Sequence, residues 1–182
     1  MTSFDVSGTR GPWVVFGPAR ARESGVLRRQ LDALADRGGR VHTFRAADLD
    51  DAAGVFREFA DTFRFPGYFG RNWDAVVDCL DDLCAEVTGG IGTAGVIEGA
   101  DSLLGAPHLR LFVSVLCQGA ARANAAADPD GDSLPRPATA QHFVFLLDEH
   151  EAADFADALT HPDLTLAGDG PFLTVTLDPE AW

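Results

Sequence analysis

Residues 142–148 read His-Phe-Val-Phe-Leu-Leu-Asp. A strand with one wet face alternates polar and apolar side chains, whereas an almost unbroken apolar run of this kind fits a strand buried on both faces. Such a strand needs a covering layer on each side of its sheet. Trp13-Val14-Val15-Phe16-Gly17 is a second short apolar run, closed by Gly17-Pro18, and reads as another strand. Between these two runs the pattern alternates. Residues 22–37 carry Val26, Leu27, Leu31 and Leu34 at helical spacing and stop at Gly38, and residues 40–44 return to a strand, which suggests a βαβ unit with parallel pairing.

Asp50 and Asp51 are placed to cap a helix over 51–63, with Val55, Phe56, Phe59, Ala60 and Phe63 on one face and Pro66 beyond its end. A second helix is expected from Asn72 to about Cys84, a strand within 92–99 and a third helix over 108–123. Residues 124–140 lack aromatics, are broken by prolines and glycine, and read as a mobile loop. A short helix is expected over 149–161, then a hairpin over 163–178 around Gly168-Asp169-Gly170. The fold class is α/β: a parallel sheet packed with helices, enlarged by an N-terminal βα unit and a C-terminal hairpin.

At 182 residues with 46% apolar content, the chain can bury a sizeable core as one domain. The first residues carry no basic leader, and no apolar stretch approaches the ~18 residues needed to span a bilayer. The expectation is a soluble, cytoplasmic protein. Cys79, Cys84 and Cys117 are odd in number and form no CxxC pair, so they read as buried free thiols.

Charge is more informative. The formal net charge is −14, and every basic side chain other than histidine is arginine. Residues 1–71 hold 11 Arg against 9 Asp and Glu; residues 72–182 hold 3 Arg against 19. Such a chain should avoid nucleic acid and membranes and be drawn to basic proteins. The acidity is sharpest in the helix from Asn72. Trp73, Val76, Leu80 and Leu83, with Cys79 beside them, form its apolar stripe. Asp74, Val77, Asp78, Asp81 and Asp82 are expected on the opposite stripe, facing solvent or a partner. Neighbouring aspartates at i,i+3 and i,i+4 each cost ~0.2–0.5 kcal/mol, and no Lys or Arg at i±4 offsets them. Asp81 and Asp82 also lie toward the unfavourable end of the helix dipole. Immediately before the helix, Pro66, Gly67 and Gly70 shape a tight loop carrying Tyr68 and Phe69. Aromatics beside unpaired charge form an interface composition.

The stretch Pro66-Gly-Tyr-Phe-Gly-Arg-Asn-Trp-Asp-Ala-Val-Val-Asp-Cys-Leu80 resembles the signature of the barstar family of ribonuclease inhibitors. The preceding strand and helix and Val96-Ile97-Glu98 extend the resemblance over roughly 41–148, a barstar-like core flanked by extensions at 1–40 and 149–182. The resemblance implies inhibition of a small, basic, secreted guanyl-specific ribonuclease, barnase-like or related, with no catalysis and no cofactor. It implies that Asp78 enters the pocket for a substrate phosphate, that Asp74 reaches a further basic group, and that Tyr68, Phe69, Gly70 and Asn72 supply loop contacts. Where the family pattern has a tryptophan this chain has Val77, and Asp81, Asp82 and Leu83 replace small, hydroxyl or aromatic residues, so a more acidic and less aromatic interface is expected. A third-helix acidic contact of the family has Gln118 as its nearest counterpart. The alternative is an acidic nucleic-acid mimic that binds another basic protein.

Other signals point elsewhere only faintly. Asp128-Pro-Asp-Gly-Asp132 starts like a calcium loop, but Ser133 and Thr139 stand where Gly and Glu are required. Asp74 and Asp78 on an open helix face would need further ligands or a substrate phosphate to hold Mg²⁺, which leaves a metal-dependent enzyme using the Asp stripe as a further alternative. Gly17-Pro-Ala-Arg lacks the glycine pattern and Lys of a nucleotide loop. No HExxH or GxSxG spacing is present.

Overall fold

The computed structural model describes residues 4–23, 25–86, 92–125, 132–133 and 135–178. The strands are β1 (Val14–Pro18), β2 (Arg40–Arg45), β3 (Thr93–Glu98), β4 (Gln141–Leu147), β5 (Leu164–Asp169) and β6 (Phe172–Leu177). The helices are α1 (Arg20–Glu23), α2 (Gly25–Asp36), α3 (Ala52–Phe63), α4 (Trp73–Glu86) and α5 (Leu109–Asn124). All six strands share one sheet in the order β2-β3-β4-β1-β6-β5; β2, β3, β4 and β1 run parallel, and β6 and β5 complete the sheet as an antiparallel hairpin.

β4 is buried along its whole length, and its alternation separates two cores. Phe143, Phe145 and Leu147 join the larger core with residues of α3, α4 and α5. Val144 and Leu146 join a smaller one with Leu27, Leu31 and Leu34 of α2 and with Phe4 and Val6. Helices therefore cover both faces, which is why every β4 position from Phe143 to Leu147 is apolar. The two faces follow from topology. β2, β3 and β4 advance across the sheet in one direction, while the connection from β1 returns across it to β2. Right-handed crossovers of opposite progress place their helices on opposite faces.

Three local expectations are corrected. β1 does not pair with β2; it lies between β4 and β6, in register Val14–Phe143 through Pro18–Leu147. Val14, Val15 and Phe16 are fully buried, as a central position demands, whereas β2 buries only Phe44, keeps its other residues exposed or half-buried, and takes the edge. The segment 149–161 forms only a 3-10 turn over Ala152–Phe155. Ahead of that turn, the backbone N–H groups of Asp148, Glu149 and His150 donate to the Asp101 carboxylate at 2.7–3.0 Å. Partial burial would raise the Asp101 pKa, but these bonds and the His150 imidazole hold its carboxyl well below the usual range. The hairpin turn is Gly170-Pro171, starting one residue past the expected centre at Asp169, with Gly170 at φ 60° as a two-residue hairpin turn favours.

α3 and α4 start where their caps predict. Asp51 accepts from the Gly54 N–H at 2.6 Å, and Asn72 accepts from the Ala75 N–H at 2.8 Å. Cys79 and Cys117 are buried free thiols. The centre of the expected 124–140 loop and the calcium-like aspartates Asp128 and Asp130 lie outside the described residues.

Candidate protein-binding face

The loop between α3 and α4 is bracketed by two left-handed residues, Arg64 (φ 55°) and Arg71 (φ 49°). This conformation is uncommon for a side chain with a Cβ and turns the chain sharply at each end. Within the loop, the Phe69 N–H closes a turn onto the Pro66 carbonyl at 2.9 Å. The aromatic ring of Phe69 meets Phe65 edge-on at 5.0 Å and Phe56 at 6.3 Å, so it is a half-buried anchor. Phe56 in turn meets Trp73 at 4.8 Å, tying the loop to the first turn of α4. Tyr68 at the loop tip is 80% exposed. Of the two aromatics expected beside the acidic helix, one is presented to solvent and the other holds the loop. Gly70 and Asn72 are exposed; the Asn72 side chain is engaged in capping, and its amide also donates to the Gly70 carbonyl at 3.4 Å.

On α4, Asp74, Asp78 and Asp82 are exposed and Asp81 is partly buried. Val77 is corrected from the outward stripe to the core: only 3% of it is exposed. It stands four residues after Trp73 and three before Leu80, a spacing that lets it join them, and its packing puts it in the larger core. Leu80 rests against α5 at Gly119, where an added Cβ would stand 2.9 Å from the Leu80 Cβ. On the other side, Arg64, Phe65, Pro66, Tyr68, Cys79 and Asp82 line a shallow cleft between loop and helix. Burial, with the Asp82 and Asp78 carboxylates nearby, pushes the Cys79 thiol pKa up.

The expectation that no internal cation meets these aspartates is also corrected. Arg122, in the last turn of α5, donates to the Asp78 carboxylate at 2.9 Å. Arg136 donates to the Asp81 carboxylate and, at 2.7 Å, to the Asp81 carbonyl. The Arg136–Asp81 pair is largely enclosed, with side chains 20% and 25% exposed, and the Gln141 amide donates to the Leu80 carbonyl beside it at 2.9 Å. Residues 44 and 55 positions away supply these cations, out of reach of any i±4 rule. One signal for them was present: only three arginines occur in the acidic half of the chain, and two of those three meet this helix. Gln118, the expected third-helix contact, is half-buried and donates to the Ser114 hydroxyl at 3.1 Å.

The barstar family model, described as "Barstar (barnase inhibitor)", matches residues 39–129. This chain belongs to the barstar family. The match takes in β2, α3, the loop, α4, β3 and α5, and so includes the candidate face apart from Arg136 and Gln141. It ends before β4, short of the 148 expected from the resemblance. In this barstar-family chain β1, α1, α2 and the strands β4 to β6 lie outside the match, although β1 and β4 are the two central strands of the sheet. No curated protein and no solved structure matches the chain. Among the described residues, no group of three or more His, Cys, Asp or Glu side chains is arranged to hold a metal ion. Nor is any described helix long and apolar enough to cross a membrane.

Proposed function

We propose that this barstar-family protein is a cytoplasmic inhibitor, an immunity protein that plugs the active site of a small, basic, guanyl-specific ribonuclease. The observation that carries the reading is the 80% exposed Tyr68 on a doubly anchored loop beside the exposed carboxylates of Asp74, Asp78 and Asp82. A ribonuclease cleft is basic because it holds RNA phosphates, so a carboxylate row on a rigid helix can take the place of those phosphates. Asp78, at mid-helix, is the proposed phosphate mimic at the centre, Asp74 a flanking contact, and Tyr68 an apolar anchor at the edge of the charge. Gly70 and Asn72 act through the loop's shape and the helix cap. The action is binding, in line with the inhibitor description of the family.

Titrating a panel of guanyl-specific ribonucleases, barnase included, with the purified protein at low salt tests the proposal. Stoichiometric loss of RNA cleavage by at least one enzyme is expected. Undiminished activity across the panel overturns it, and recovery of a basic protein of another kind would favour a nucleic-acid-mimic role.

A further inference from the structure

The two internal ion pairs of α4 differ in kind. Arg136 grips Asp81 at both carboxylate and carbonyl in a largely enclosed setting. Arg122 makes a single contact with Asp78, between side chains that are 44% and 70% exposed. Exposed pairs of this sort shift an equilibrium by a factor of only about 1.4 to 5, so water and other ions can open them. The placement of Arg122 is nevertheless well determined. Gly119 brings α5 against Leu80 with no room for a Cβ, and Arg122 follows on the same helix in its last turn, where the helix dipole favours a cation. Gln118, one turn earlier, bonds to Ser114 and brings no charge.

We infer that Arg122 is an internal competitor for Asp78, a specificity-determining residue that a partner's cation must displace. The inference rests on the reading of α4 as the binding face and adds a determinant on a different helix. Displacement exchanges one guanidinium–carboxylate pair for another, so an isolated cation gains almost nothing at Asp78. A partner gains only by engaging Tyr68 or Asp74 in the same encounter. Arg122 thus screens the most central carboxylate from scattered positive charge, in a protein whose net charge of −14 would otherwise attract any polycation.

The test needs no ribonuclease. A nona-arginine peptide is titrated by calorimetry at low salt into the full chain and into the variants R122Q, R110Q, D78N and D78N/R122Q. R110Q removes the same charge from α5 at a site where the guanidinium meets the Ala158 carbonyl at 3.3 Å. R122Q should bind the peptide about two- to fivefold more tightly than R110Q does, and this excess should vanish when Asp78 is replaced. Equal affinities for R122Q and R110Q, an excess that persists in D78N, or no peptide binding by any form overturns the inference. Failure of the inhibitor reading shows separately, as undiminished ribonuclease activity.

Discussion

Gly119 of α5 sits on Leu80 of α4 so closely that a methyl group at position 119 would stand 2.9 Å from both the Cβ and a Cδ of Leu80. Leu80 is fully buried in the larger core and cannot move aside freely. Gly119→Ala should therefore destabilise the fold by about 1–3 kcal/mol through overpacking, despite the higher helix propensity of alanine. Thermal unfolding measures it, and a variant as stable as the parent would show that the helices are not in contact there.

The two arginines that meet α4 should behave differently in denaturation. Arg136→Ala strips an enclosed carboxylate and a backbone carbonyl of their donor and should cost about 1–3 kcal/mol. Arg122→Ala breaks an exposed pair and should change stability by less than about 1 kcal/mol. Urea unfolding of both variants decides the point; equal losses would contradict the difference in enclosure.

Tyr68 should separate binding from folding. Its ring is almost entirely exposed, so Tyr68→Ala is expected to leave the unfolding temperature unchanged. Once a ribonuclease partner is in hand, the same variant and Asp78→Ala should each weaken inhibition by more than about 1 kcal/mol. Phe69→Ala should instead lower stability, because its ring anchors the loop on Phe65 and Phe56. A stable Phe69→Ala protein would mean that the loop is held by something else.

Acid should loosen the cover over the smaller core. His142 is buried, with ring nitrogens 2.7 Å from the Gly8 carbonyl and 3.0 Å from the Pro12 carbonyl. Burial lowers its pKa from 6.5, and those carbonyls and Asp5 only partly oppose the shift. The unfolded chain therefore takes up the proton first as pH falls. Stability is full above about pH 6.5 and declines as pH drops through that value toward the folded one. His42, lowered by burial and then by Arg40, contributes with the same sign. Unfolding free energies measured at neutral pH and about one unit below 6.5 should differ less for His142→Gln than for the parent chain. An identical pH response in both would rule His142 out as a cause.

Much of this molecule is legible one element at a time. The apolar run at 143–147, the caps Asp51 and Asn72 and the stripe of Trp73, Val76 and Leu80 are local patterns. A strand or helix imposes a fixed period on side-chain direction, so burial is written along each segment. The family signature at 66–80 is local too, and it falls on the loop and α4. The misreading of Val77 came from that same period: it lies within the reach of either stripe, and only packing against Leu80 and its neighbours assigns it to the core.

What tertiary structure alone decided joins residues far apart in the chain. β1 pairs with β4 across more than a hundred residues, because a fully apolar strand is most stable in mid-sheet with cover on both faces. Arg122 and Arg136 reach Asp78 and Asp81 only because α5 packs on α4 and because the chain leading into β4 passes beside it. A helix reads its own charges within one turn, whereas a Coulomb pair depends on distance in space. The sequence by itself determined an acidic helix on an aromatic loop; the fold determined which of its carboxylates already have a cation.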